Sequence, residues 1–256
     1  MPEARIRADL QLLATVTRRI RTYSVGNGMD RVPEIARPLG MKVSLGIWLG
    51  PDKAENSKEI AKALTVIAAN ADVIDRVFVG SETLQRKDLP LKDIIASLRR
   101  VRHAVRGRNI EVTTGEIWSV WLANPSLGQE CDVIGVHIHP YWDGYSVGEA
   151  VNGVIARLEQ IQQEFPGKRV IIAETGWPSV GAVRGAAAPS PAGQAYFTSA
   201  FLDEARTRQL DYYIVEAFDQ PWKVGGEGEV GTGWGLFDVK TRSKLNLAGI
   251  SPLAPE

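Results

Sequence analysis

Charged and apolar residues recur along this chain at helical spacing, in stretches separated by short apolar runs. Residues 3–18 show the helical pattern first, with Ile6, Leu10, Leu13 and Val16 on one face and charged residues between them. This spacing predicts an amphipathic helix. The same pattern predicts further helices over residues 29–39, 51–71, 91–106, 147–164 and 194–208.

The short apolar runs between these helices predict buried strands. Their ranges are residues 20–24, 41–49, 76–82, 109–118, 133–141, 169–174 and 211–219. Strands and helices therefore alternate, which is typical of β-α repeats around a parallel sheet. Acidic and aromatic residues follow several different strands. This favours a closed (β/α) barrel, because a doubly wound open sheet binds its ligand at one switch point.

Composition and charge exclude several classes of protein. The chain has 256 residues, of which 44% are hydrophobic, so it can form one large domain or two small ones. Its 30 Lys and Arg residues balance its 30 Asp and Glu residues, which gives no electrostatic reason to expect nucleic acid or an anionic membrane as a partner. The single cysteine, Cys131, allows no internal disulfide. No apolar run approaches the roughly 18 residues of a membrane span.

The N-terminus lacks the apolar core of a signal peptide. We therefore expect either a cytoplasmic chain or one that has been cut from a longer protein.

One stretch, residues 169–179, places a carboxylate where a buried strand ends. Four apolar residues lead into Glu174, and Gly176 and Pro178 then stop the strand. A carboxylate is costly there unless a site uses it or a cation pairs with it. Trp177 beside it offers a flat apolar surface that suits a sugar ring. The alternative is a buried Glu paired with an Arg.

A second stretch, residues 76–82, is also a short apolar strand that ends in a Glu, here Glu82. Glycoside hydrolysis needs two carboxyl groups, one as acid/base and the other as nucleophile or base. Two strand-end carboxyl groups on separate strands meet that requirement.

Both stretches resemble the motifs of one family. Residues 173–179, Ala-Glu-Thr-Gly-Trp-Pro-Ser, resemble the nucleophile signature of glycoside hydrolase family 17, the β-1,3-glucanase and β-1,3-glucanosyltransferase family. Residues 79–82, Val-Gly-Ser-Glu, resemble its acid/base motif. The resemblance implies that Glu174 is the nucleophile, that Glu82 is the acid/base, and that the anomeric configuration is retained. That division of roles needs a raised pKa at Glu82 and a low one at Glu174, with the carboxyl groups about 5–5.5 Å apart.

The resemblance also implies a sugar-binding groove built from the other strand ends. The residues expected to line it are Tyr23, Ser81, Glu116, His139, Tyr141, Trp177, Glu216, Lys223 and Trp234. Ser81 departs from the family pattern, which has Asn before the acid/base. Its shorter side chain affects the expected rate rather than the reaction type.

The strand count differs from that of the family. In family 17 the acid/base ends strand four and the nucleophile ends strand seven, whereas here they end the third and sixth predicted strands. We therefore expect a (β/α)8 TIM-type barrel that lacks its first strand, forming a single catalytic domain over residues 1–256. An upstream segment or a partner chain would fill the gap. The nearest resemblance is to bacterial glucan-modifying domains, so a periplasmic or membrane-associated location follows if the chain comes from a larger glucan synthase.

Three functions remain open at this point. The first is a retaining enzyme that hydrolyses or transfers β-1,3-linked glucan, with a β-glucan oligosaccharide or polysaccharide as its partner and transfer preferred. The second is a metal-dependent barrel hydrolase that uses the His137 and His139 pair, which face one side of a strand. The ligand count opposes it, since the third histidine, His103, lies on a predicted helix; we therefore expect no metal or cofactor. The third is a non-catalytic β-glucan-binding domain.

Overall fold

The structure is a computed structural model and describes residues 1–243. Its helices are α1 (Glu3–Leu13), α2 (Val32–Ala36), α3 (Lys53–Ala69), α4 (Leu91–Ala104), α5 (Trp118–Ala123), α6 (Pro125–Gln129), α7 (Ala150–Glu164) and α8 (Pro191–Arg208). Its strands are β1 (Arg19–Arg21), β2 (Lys42–Ile47), β3 (Ile74–Ser81), β4 (Glu111–Ile117), β5 (Ile134–His137), β6 (Val170–Thr175) and β7 (Tyr212–Ile214). Short 3₁₀ turns cover Met29–Arg31, Arg37–Leu39 and Gly228–Thr232.

The strands form one sheet in the order of the sequence, from β1 to β7. Strands β1 and β2, β2 and β3, β3 and β4, and β6 and β7 pair in parallel. Sequential parallel strands with helices in the connections define the (β/α)-barrel class. The prediction of this class, with seven strands rather than eight in the described part of the chain, is confirmed.

The described residues divide into two compact units. The first unit comprises Met1–Gly135 and Glu164–Arg169. Its centre is β2 to β4, where Leu45, Val77 and Val112 are fully buried. Strands covered on both faces require such continuous apolar runs, and each fully buried side chain of this kind stabilises the fold by about 1.5–3 kcal/mol.

The second unit comprises Val136–Gln163 and residues 170–243. Aromatic residues of α8 form much of its core. The Phe197 ring stacks on Phe201 with 5.9 Å between centroids and lies 6.0 Å from Trp177. Ser190 is the N-cap of helix α8, and its hydroxyl accepts a hydrogen bond from the Gly193 N–H at 3.0 Å.

Several segments differ from the sequence-based predictions. Strand β1 covers Arg19–Arg21 instead of residues 20–24, and β5 ends at His137 instead of residue 141. The helix predicted over residues 29–39 consists of α2 between two 3₁₀ turns. Helix α1 ends at Leu13 instead of continuing to residue 18. Helices α5 and α6 were not predicted, and α5 is fixed by Trp121, a buried residue whose indole N–H donates to the Gly135 carbonyl at 3.0 Å. Strand β7 is shorter than predicted, because from Glu216 onward the backbone bonds to the segment that begins at Trp234.

Two further predictions concern domain count and membrane association. No described helix is both long and apolar enough to cross a bilayer. The prediction of a single catalytic domain over residues 1–256 stays a prediction.

Candidate active site

The chain leaves β3 through a left-handed turn that sets the direction of Glu82. Gly80 has a φ of +85° and Glu82 a φ of +53°. A Cβ on Gly80 would lie 2.6 Å from Thr83 Oγ1, so only glycine fits this conformation and this space. The Glu82 N–H donates to the Gly115 carbonyl at 2.6 Å, which joins the turn to β4.

Glu116 is fully buried beneath this turn. Its carboxylate accepts hydrogen bonds from the backbone N–H groups of Leu84 at 2.8 Å and Gln85 at 3.3 Å. Burial raises the pKa of Glu116 to about 7, the charge of Glu82 adds to the rise, and the two N–H groups oppose it. The structure thus gives Glu116 a role that the sequence did not predict, which is to hold the loop that follows Glu82.

Ser81 and Tyr23, both predicted to contact sugar, lie in the first unit around Arg21. The Arg21 guanidinium donates to Ser81 Oγ at 3.1 Å and lies 4.9 Å from the centre of the Tyr23 ring. Tyr23 is 37% exposed. Arg86, which the sequence did not single out, donates to the Ser81 carbonyl and to the Leu49 carbonyl, the latter at 2.9 Å. Ser81 is therefore held through both its side chain and its backbone.

In the second unit, both histidines of the β5 end reach the carboxylate of Glu174. His137 Nε2 lies 3.2 Å from Glu174 Oε1, and His139 Nε2 lies 3.4 Å from Oε2. The residue between them, Ile138, donates its N–H to the Glu174 carbonyl at 2.9 Å. The alternating direction of side chains along an extended segment places both imidazoles on the side of Glu174. An imidazole nitrogen that carries a proton beside each oxygen stabilises the carboxylate charge and fixes its plane.

Tyr141, Trp177 and Trp234, which were predicted as sugar platforms, are brought together with His139. Tyr141 packs edge-on against Trp177 and Trp234, with centroids 6.5 and 6.0 Å apart. Trp234 packs in the same way on His139 at 5.6 Å. The Tyr141 hydroxyl donates to the Ala182 carbonyl at 2.9 Å. These rings form a packed aromatic wall, which gives rigidity to the side of the site that carries His139.

Glu216 and Lys223, two further predicted site residues, interact electrostatically with Glu174. Burial raises the pKa of Glu216 to about 7; Lys223 and a hydrogen bond from Gln220 oppose the rise, and Glu174 adds to it. Burial lowers the pKa of Lys223, but the negative charges of Glu216, Glu227 and Glu174 outweigh it, so the pKa is raised. Lys223 is therefore a firmly charged cation in this part of the second unit.

Sequence reasoning also missed Gln194. Its amide is buried and donates to the carbonyls of Trp177 at 2.9 Å, Gly233 at 3.2 Å and Trp234 at 3.2 Å. One side chain on α8 thereby connects the loop after β6 to the loop that carries Trp234. A polar residue on the apolar side of a helix was the available signal.

Comparison with known proteins identifies the family. Residues 1–235 match the family described as the BtgE/BtgC glycoside hydrolase domain. The chain is 28% identical over 225 residues to a probable beta-glucosidase btgE of Aspergillus fumigatus, covering 86% of this chain and 39% of that protein. It is 29% identical over 255 residues to a glucan 1,3-beta-glucosidase of Schizosaccharomyces pombe, covering 94% of this chain and 79% of that one. The chain thus spans well under half the length of the Aspergillus relative.

Solved structures share the fold. The glycoside hydrolase family 17 β-1,3-glucanosyltransferase from Rhizomucor miehei is 26% identical and superposes with a TM-score of 0.84 over 94% of this chain and 89% of that one. An active-site mutant of the same enzyme, in complex with laminaritriose, gives a TM-score of 0.84 at 26% identity over 96% and 90% of the two chains. This chain belongs to the BtgE/BtgC glycoside hydrolase domain family.

Proposed function

We propose that this domain acts on β-1,3-linked glucan through a covalent glycosyl-enzyme, with Glu174 as nucleophile and Glu82 as acid/base. The observation that carries the proposal is the pair of imidazole nitrogens on the two oxygens of Glu174, at 3.2 and 3.4 Å. A nucleophilic carboxylate must be ionised and held in one plane, and two such donors favour both. The names of the relatives from S. pombe and R. miehei support the substrate class.

In the first step, Glu174 attacks the anomeric carbon while the bond from that carbon to the leaving oxygen breaks. Glu82 gives its proton to that oxygen, so a neutral sugar hydroxyl leaves and an ester links the glycosyl group to Glu174. The imidazoles of His137 and His139 hold the attacking carboxylate in place. Glu116 keeps the loop after Glu82 in position, through its hydrogen bonds to Leu84 and Gln85.

In the second step, the ionised Glu82 removes a proton from water or from a sugar hydroxyl. That oxygen attacks the anomeric carbon from the face that the first leaving group vacated, and the ester to Glu174 breaks. Two inversions give net retention. Water as acceptor gives hydrolysis, and a sugar gives transfer.

We propose transfer as the preferred outcome. An aromatic acceptor side formed by Tyr141, Trp142 and Trp234 would hold a second sugar against water. The other proposed sugar contacts, including Trp177, are those named from the sequence: Tyr23, Ser81, Glu116, His139, Glu216 and Lys223. Glu116 and Trp177 are the weakest of them, since both side chains are fully buried.

Carboxyl-to-amide variants test the two roles. Glu174→Gln and Glu82→Gln should each lower kcat on laminari-oligosaccharides by about 10³-fold or more, with an unchanged circular dichroism spectrum. Glu164→Gln, at the exposed end of α7, is the matched control and should retain wild-type activity. Near-wild-type turnover in either of the first two variants would refute the assignment.

The products of the same incubation separate transfer from hydrolysis. Transfer yields oligosaccharides longer than the substrate, whereas exclusively shorter reducing products at high substrate concentration would exclude it. The bacterial type, a periplasmic or membrane-associated location, and an upstream segment or partner that supplies an eighth strand remain predictions. The curated relatives named above are fungal.

A further inference from the structure

The two histidines and the carboxylate of Glu174 form a set of metal-ligating atoms on adjacent strand ends. The Nε2 atoms lie 3.2 and 3.4 Å from the carboxylate oxygens, and the candidate ligand atoms of the three residues all lie within 4.8 Å of one another. A tetrahedral zinc ion with bonds of about 2.0–2.2 Å keeps its ligand atoms about 3.3 Å apart. Small side-chain rotations therefore bring all three onto one ion.

We propose that His137, His139 and Glu174 bind Zn²⁺, or a similar late first-row divalent cation, and that the bound ion inhibits the enzyme. The imidazoles select the class of ion. Two nitrogen ligands and one carboxylate suit Zn²⁺, Ni²⁺ or Cu²⁺, whereas Mg²⁺ and Ca²⁺ prefer sites made of oxygen. Binding requires the Nε2 lone pair of each histidine, so the ion takes the place of the protons donated to Glu174.

The charges and exposure around the three ligands allow an ion to enter. His137 is fully buried, while the side chains of His139 and Glu174 are each 11% exposed, so the opening lies on their side. Lys223 opposes a cation, whereas Glu216 favours one when it is ionised. The nearby aromatic wall of Tyr141 and Trp234 limits the flexibility of His139, which keeps the ligand set together.

The bound ion inhibits because it occupies the lone pairs that the reaction needs. This part of the inference rests on the proposed function. The lone pairs that Glu174 needs for attack on the anomeric carbon are those that would bind the ion. The metal and the sugar therefore exclude each other, and inhibition is competitive. Binding itself depends only on the three ligands.

Calorimetric titration of Zn²⁺ into untagged, EDTA-treated protein tests the site, because a histidine tag would bind zinc itself. We expect one ion per chain in a non-chelating buffer. His139→Gln and Glu174→Gln should each weaken binding by at least about ten-fold, and neither replaces a fully buried residue. Mg²⁺ should give no saturable heat.

The chain offers clean controls for this titration. It has three histidines, and the third, His103, lies on α4. His103→Gln should therefore bind zinc like the wild type. Cys131 is buried with its pKa raised to about 12, so it supplies no thiolate to compete for the ion. No saturable binding, or equal binding in wild type, His139→Gln and Glu174→Gln, would overturn the site.

Activity measured on the same samples tests the consequence. Zinc should raise the apparent KM for laminari-oligosaccharides without lowering kcat, and EDTA should restore the original value. Binding without inhibition would overturn the inhibitory role. Activity that requires zinc would overturn it as well and would support the metal-dependent hydrolase class. Protein that lacks activity both without and with zinc would instead count against the proposed function, since the calorimetric result does not depend on turnover.

Discussion

Glu82 and Glu174 both stand where a parallel strand ends, yet the two units hold them in different ways. Glu174 belongs to β6, and an imidazole nitrogen meets each of its carboxylate oxygens. Glu82 lies just beyond β3 in a left-handed conformation. Its backbone is fixed instead, with its N–H donating to Gly115 at 2.6 Å and its carbonyl accepting from the Arg86 N–H at 2.8 Å.

The difference matches the chemistry that each group is proposed to perform. A nucleophile must keep its charge and its direction, and the imidazoles provide both at Glu174. An acid/base must gain and lose a proton in each cycle. The buried Glu116 beside Glu82 disfavours having both carboxyl groups ionised, because their repulsion is mutual. A fixed turn combined with a like-charged neighbour therefore suits proton exchange.

The largest expected effect comes from substrates whose leaving group needs no proton. On a 2,4-dinitrophenyl β-laminaribioside, Glu82→Ala should retain glycosylation rates about 10²–10⁴-fold above those of Glu174→Ala, because only the nucleophile remains essential. Pre-steady-state release of dinitrophenol measures this. Equal rates for the two variants would remove the distinction between the two strand ends.

The free energy of unfolding should depend on pH through one buried carboxyl group in each unit. Glu116 and Glu216 both have a pKa raised from 4.5 to about 7. Between pH 4.5 and about 7 the native state then binds more protons than the unfolded state. The free energy of unfolding therefore falls as the pH rises through this range, by roughly 3 kcal/mol for each group. In denaturant unfolding of Glu116→Gln and Glu216→Gln, the free energy of unfolding should decrease less between pH 4.5 and 7 than in the wild type. Glu164→Gln should follow the wild type. An unchanged slope in either of the first two variants would contradict the burial of that carboxyl group.

Gly80→Ala tests whether the turn before Glu82 is fixed by its backbone. The added Cβ would meet Thr83 at 2.6 Å in a left-handed conformation. We expect a loss of about 3 kcal/mol in unfolding free energy together with a lower kcat. Gly107→Ala is the matched control, since Gly107 has a φ of +81° and nothing within 4 Å of its added Cβ. It should lose only about 1 kcal/mol and keep its activity; equal losses in both variants would count against the packing of the turn.

Tyr141→Phe should have the smallest effect. It removes the hydrogen bond to the Ala182 carbonyl but leaves the ring packing. We expect about 1 kcal/mol less stability and little change in KM for laminari-oligosaccharides. A large rise in KM would show that the hydroxyl binds sugar rather than the protein backbone.

The sequence predicted the strand order well because parallel buried strands are continuous apolar runs between amphipathic helices. Residues 76–82 and 169–174 fall close to β3 and β6 for this reason. It failed where tertiary contacts decide the local structure. Helix α5 depends on the buried contact of Trp121 with Gly135, and residues after β7 bond to the Trp234 segment rather than extending the strand.

The candidate site was predictable only in part. Strand-end position and family motifs single out Glu82 and Glu174 as the candidate pair, since both are local properties of the sequence. The alternation along residues 137–139 placed the two histidines on one face, but the prediction did not assign both to the same carboxylate. Glu116 was expected from the resemblance to line the groove, but it is buried. The backbone N–H groups that it binds are more than thirty residues away in sequence, so no local pattern could show this.

Covalent trapping tests the identity of the nucleophile most directly. A 2-deoxy-2-fluoro-β-laminaribiosyl fluoride forms a glycosyl-enzyme that breaks down slowly, because fluorine destabilises the transition states of both steps. Peptide mapping by mass spectrometry then locates the ester. The account predicts one adduct per chain on Glu174. Inactivation with the adduct on another carboxyl group, such as Glu216, or unlabelled protein that nevertheless turns over laminari-oligosaccharides, would contradict it.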